Sequence, residues 1–161
     1  MKVKLAKTAG FCFGVKRAVD TVYKELSRQE NEKIYTYGPI IHNEEVIKDM
    51  QRQGAIVLRT EEELDAVTKG TVIIRSHGVE KRIYDKLEAK QISVVDATCP
   101  YVKKIHNIVR KESEEGKFII IIGNPDHPEV QGIRGWAGKD AAIIQNPEDI
   151  EKLSIKNDKK V

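Results

Sequence analysis

The chain has 161 residues, 40% of them hydrophobic and 33% charged, with 28 Lys and Arg against 25 Asp and Glu and a formal net charge of +3. This is enough for one full core and part of a second, and so mild a basic excess argues against a nucleic-acid binder or a membrane-surface protein. No run of about 18 apolar residues offers a membrane span, and MKVKLAKTAG is too polar for a signal-peptide core. The inferred compartment is the cytoplasm, where two cysteines are free, metal-binding or catalytic more often than disulfide-bonded.

The first predicted strand, KVKLA (2–6), runs into KTAGFCFG, where Cys12 stands between Phe11 and Phe13 and inside Gly10 and Gly14. A helix follows in VKRAVDTVYKEL, with Val15, Ala18, Val19, Val22 and Leu26 near helical spacing. The strand IYTYG (34–38) leads into PIIHNE and His42; the next helix opens on the cap residue Asn43 and closes on Gly54. AIVL (55–58) is the third predicted strand. TVIIR (71–75) leads into SHGVE and His77, then into the amphipathic EKRIYDKLEAK. ISVVD (92–96) leads into ATCPY, where Cys99 precedes a proline suited to the first helical position. The helix after it places Val102, Ile105 and Val109 on one face and stops at Gly116. KFIIIIG (117–123) leads into NPDHPEV, with His127 and Glu129, and AAIIQ (141–145) is the last full strand. The tail LSIKNDKKV (153–161) reads as a polar turn and the opening of a further strand, as if the sheet were cut short.

Strands alternating with helices predict an α/β fold with open, mostly parallel sheets. A boundary is expected near 97–100, giving a complete first lobe (1–97) and part of a second (98–161). In such sheets the loops at the carboxyl ends of the strands share one rim, where ligands bind. Cys12, Cys99, His42, His77 and His127 all fall on that predicted rim. Each cysteine precedes a helix, whose dipole and free N–H groups favour the thiolate, the form that binds iron or zinc. Taken singly, either would be an inert buried thiol, and two thiolates complete no common metal or cluster site. Three imidazoles beside helix starts suit a phosphate-like anion, and also a metal. Glu129, beside an anion site, could donate a proton; the plainer reading is a first-turn glutamate favoured by the helix dipole. His106, which shares a helix with Lys103, Lys104 and Arg110, is read as solvated, as are Lys16, Arg17 and Arg75, and Trp136 as packing.

Together AGFCFGVKRA, GPIIHN, IIRSHGV, DATCPYVKKIH and IIGNPDHPEVQGIRGW resemble, in order and over nearly the whole chain, the 4-hydroxy-3-methylbut-2-enyl diphosphate reductases. The resemblance implies the last step of the non-mevalonate isoprenoid pathway, on three α/β lobes around a [4Fe–4S] cluster held by three cysteines. Cys12 and Cys99 match two of those ligands, and His42, His77 and His127 match the histidines that hold the substrate diphosphate. Glu129 matches the acid that supplies protons. The implied electron donor is ferredoxin or flavodoxin. A third cysteine has no counterpart after Cys99, so the expectation is an N-terminal portion, inactive alone, with its first strand belonging either to the first lobe or to a third. The rival readings are a zinc-dependent hydrolase and a non-catalytic phosphate-binding module.

Overall fold

Thr71–Ile74, a run of four β-branched residues, cannot alternate between core and solvent, and it is buried along its whole length. In the computed structural model, which describes residues 1–28, 32–153, 155, 160 and 161, this strand (β3) lies inside a four-stranded sheet. Its companions are β1 (Ile34–Tyr37), β2 (Ala55–Leu58) and β4 (Ser93–Asp96), in the order β2-β1-β3-β4. All pairs are parallel, with Ile34 opposite both Ala55 and Thr71 and Thr71 opposite Ser93. A continuous apolar strand is what a parallel sheet covered on both faces requires.

The period of two along β3 divides the core. Ile73 joins Ala18, Val19 and Val22 of helix α1 (Phe13–Arg28) and Met50 of α2 (Glu44–Arg52) on one face. Val72 and Ile74 join Leu64 of α3 (Glu61–Asp65) and Ile83 and Leu87 of α4 (Lys81–Ala89) on the other. A second sheet pairs β5 (Ile119–Ile122) with β6 (Ala141–Ile144), again in parallel. Its core is Val109 of α5 (Pro100–Glu114), Ile121, and Ile133 of α6 (Pro128–Arg134), with Trp136 packed against them. The expected α/β class with parallel sheets is the class observed.

Two expectations change. Residues 2–6 form no strand: they are exposed and pair with no sheet edge among the described residues, and without a ladder an alternating sequence has nothing to hold it extended. The buried stripe of α5 is Val102, His106 and Val109, while Ile105 is 39% exposed. His106 is therefore a core residue, not a solvated one. Lys104 beside it on the helix is exposed, whereas the His106 ring is stacked on the Trp136 indole at 5.3 Å with planes 20° apart. The helix α3, which the apolar pattern did not indicate, is nucleated by a reciprocal cap between Thr60 and Glu63. The strand read into 153–161 falls largely on residues outside those described, although the Phe118 amide donates to the carbonyl of Lys160.

Candidate functional site

The strand order identifies where the rim opens. From β1 the chain crosses to β2 on one side, and from β3 it crosses to β4 on the other. The loops leaving β1 and β3 therefore part company between two adjacent strands, the point at which open α/β sheets form a binding crevice. Those loops carry His42 and His77. Their rings lie 4.8 Å apart, centroid to centroid, and the His127 ring, from the loop after β5, lies 5.9 Å from His77 and 6.4 Å from His42. Three residues far apart in sequence thus form one imidazole cluster.

Each loop is fixed by local chemistry. Asn43 caps α2 by accepting from the Val46 amide at 3.1 Å, which sets where the helix starts and holds His42 just before it. His127 is itself the N-cap of α6: its Nδ1 accepts from the Glu129 amide at 3.2 Å, leaving Nε2 as the free ring nitrogen. The buried Ser76 donates from both its amide and its hydroxyl to the Ile40 carbonyl, at 3.3 and 3.0 Å. The His77 loop is in this way stitched to the His42 loop.

His77 is half-buried, and burial pushes its pKa down to about 4, helped by the positive charge of Arg75 and by His42 and His127. It is neutral at pH 7 and can donate one ring N–H to an anion. Arg75 is not the solvated residue expected: its side chain packs against Gly38, and its Nε donates to the Gly78 carbonyl at 3.4 Å. A cleft of about 580 Å³ opens beside the cluster, lined by His42, Ile41, Ile47, Lys48 and Arg59 among others.

The cysteines meet the same rim from another side. Cys99 is the N-cap position of α5, with Pro100 as its first residue, and the Cys99 amide donates to the Ser76 carbonyl at 2.9 Å. The thiol loop and the His77 loop are thus neighbours. Cys12, exposed, lies immediately before α1. Gly14 connects the two: a Cβ on it would stand 2.5 Å from Cys99 Sγ. Only glycine allows the start of α1 to approach this thiol so closely. Arg17, read from sequence as solvated, locks the approach by donating to the carbonyls of Thr98 and Asp96, at 2.9 and 3.3 Å.

Glu129 occupies the first turn of α6, two residues after His127 and partly buried. Among the described residues no three His, Cys, Asp or Glu side chains converge to hold a metal ion. The zinc arrangement that would combine both thiols with the imidazoles is not assembled. Two soft sulfur donors at helix starts, set around a glycine, do fit part of the ligand set of an iron–sulfur cluster.

The chain is similar to proteins of known sequence and structure. The reductase named 4-hydroxy-3-methylbut-2-enyl diphosphate reductase in Thermoanaerobacter sp. (strain X514) is 49% identical over 154 residues, covering 95% of this chain and 53% of that protein. Its namesake in Clostridioides difficile (strain 630) is 42% identical over 161 residues, covering 99% and 56%. The solved structure of the E-1-hydroxy-2-methyl-but-2-enyl-4-diphosphate reductase from Plasmodium falciparum superposes with a TM-score of 0.85 at 32% identity, covering 96% of this chain and 48% of that one. The chain spans about half the length of the curated relatives it matches. The model of the LytB protein family matches residues 3–161, and the chain belongs to that family.

Proposed function

We propose that the chain carries the diphosphate-holding portion of a 4-hydroxy-3-methylbut-2-enyl diphosphate reductase. The observation that supports this most is the meeting of His42, His77 and His127 at the switch point of the sheet. Imidazoles on three separate loops can donate to several oxygens of one diphosphate, which fixes the rest of the substrate relative to the thiol-bearing loops. Cys12 and Cys99 would hold the [4Fe–4S] cluster together with a ligand from outside these residues. When bound, that cluster would pass on electrons one at a time from the external donor and would offer a Lewis-acidic iron to the substrate hydroxyl.

The reaction breaks the allylic C–O bond, takes up two electrons and two protons, and releases water with isopentenyl or dimethylallyl diphosphate. One proton leaves with the hydroxyl and the other ends on carbon. Glu129, on the helix that His127 caps, is the proton donor in this reading. Ferredoxin or flavodoxin is the electron source, and the compartment is the cytoplasm. No helix among the described residues is long and apolar enough to cross a membrane.

The test is a chimera joining residues 1–161 to the remaining half of the Thermoanaerobacter relative, reconstituted anaerobically with iron and sulfide. It should turn over, with Glu129→Gln lowering the rate about a hundredfold or more. Stoichiometric zinc without iron or sulfide would overturn the reading. Pyrophosphate binding without turnover would reduce the chain to a phosphate-binding module.

A further inference from the structure

The loop His77–Glu80, which carries the most buried imidazole of the cluster, is gripped at four consecutive residues by α5, α6 and the turn that follows α6. Gly132 of α6 packs on the backbone of the first two: a Cβ there would stand 3.6 Å from the His77 carbonyl oxygen and 3.7 Å from the Gly78 carbonyl carbon. His106 of α5 packs on Gly78 as well. A Cβ on Gly78 would meet its Cε1 at 2.5 Å, and Gly78 has φ +69°, where a side chain would in any case be strained. The Trp136 indole N–H donates to the Val79 carbonyl at 2.9 Å. Gly135 abuts Glu80 so closely that a Cβ would stand 2.3 Å from the Glu80 side chain.

His106 and Trp136 also hold one another. Their rings stack, Tyr84 of α4 lies 5.8 Å from the indole, and the Arg110 guanidinium sits over it at 5.9 Å. His106 is 3% exposed, and among the described residues its Nε2 has no hydrogen-bond partner. A polar ring at that depth contributes shape and stacking at the cost of an unsatisfied nitrogen. The consequence is geometric. The helix gripping the loop is α6, and its N-cap is His127. Whatever fixes α6 against the His77 loop also fixes the distance from His127 to His77.

We infer that His106 and Trp136 are positioning residues: they clamp the His77–Glu80 loop onto α5 and α6 and so set the spacing of His77 and His127 in the anion site. The ligand half of this inference rests on the diphosphate reading above. The clamp itself concerns only the free chain.

The test compares the intact chain with Trp136→Phe, which keeps an aromatic ring and removes the N–H, and with His106→Ala, which removes the ring against Gly78. Leu64→Ala is the control, because Leu64 of α3 is fully buried in the core and makes none of the clamp contacts named above. Without ligand, NMR should show faster amide exchange at Gly78, whose N–H donates to the Arg75 carbonyl at 3.0 Å, and a weaker ring-to-ring contact between His77 and His127. With inorganic pyrophosphate, each clamp variant should bind about fivefold more weakly, the scale of one lost hydrogen bond. Leu64→Ala should lose stability while keeping both properties. If His106→Ala does not fold, Trp136→Phe decides. Unchanged exchange and ring contact in the folded variants would overturn the clamp. Failure of the wild-type chain to bind pyrophosphate would instead count against the diphosphate reading, with the ligand-free spectra still judging the clamp.

Discussion

The imidazoles of His42 and His77 lie 4.8 Å apart with their planes tilted by 48°, across the gap in the sheet from which the chains leaving β1 and β3 diverge. Burial, and next the nearness of His42, make protonating His77 costly, and its pKa falls to about 4. An anion between them reverses that balance, because negative charge beside an imidazole favours its protonated form.

Diphosphate binding should therefore take up protons. At pH 6 to 7 the free His77 is neutral, and a bound diphosphate opposes the repulsion from His42, Arg75 and His127. Calorimetric titration with inorganic pyrophosphate, repeated in buffers of different ionisation enthalpy, should show net proton uptake by the protein, lost in His77→Gln. Proton release, or the same uptake in the variant, would contradict it.

Acid should destabilise the fold before its carboxylates titrate. His106 and His77 both have folded-state pKa values near 4, below the ordinary 6.5. The unfolded chain therefore binds more protons between those values, and stability is lost as pH falls through that window, by up to about 1.4 kcal/mol per pH unit for each group. For His106 the cause is burial, partly offset by Asp96 and reinforced by Lys103. Urea unfolding of His106→Phe between pH 7 and 4.5 should show a shallower slope than wild type. An equal slope would mean that the His106 ring is not held neutral.

Gly14→Ala should destabilise the chain. Alanine gains up to about 1 kcal/mol in helix propensity over glycine, but overpacking a filled site costs about 1–3 kcal/mol. The new methyl group would collide with Cys99 Sγ and Cβ, at 2.5 and 3.1 Å. The net loss should appear in the urea midpoint, together with faster reaction of Cys99 with a thiol reagent. A stabilised variant with unchanged Cys99 reactivity would show that α1 does not approach this thiol as described.

Much of this architecture is written locally. Runs such as TVII and IIII are short, β-branched and followed by a polar residue or glycine, so they announce strands (Thr71–Ile74 and Ile119–Ile122) and place His77 and His127 on strand-end loops. The strand order is not local. Nothing in the sequence states that β3 sits beside β1, and only that pairing turns two rim histidines into a crevice. Arg17 and Arg75 looked solvated because their acceptors are backbone carbonyls, which composition does not reveal. His106 was misplaced for a related reason. Lysines surround it along the helix, while the Trp136 ring that covers it arrives from another element. The short helix α3 did carry a readable signal, the Thr60–Glu63 capping box. The alternation in KVKLA carried a false one, since a strand needs an edge to pair with.

The central claim is that His42, His77 and His127 form one diphosphate site. The most direct measurement follows the histidine ring nitrogens by ¹H–¹⁵N NMR while inorganic pyrophosphate is added to the 161-residue chain. The account predicts that the rings of His42, His77 and His127 shift together along one saturating curve at one ligand per chain, while the buried His106 ring stays within a small fraction of their change. Shifts that never saturate, or that appear at one of the three rings alone, would contradict it.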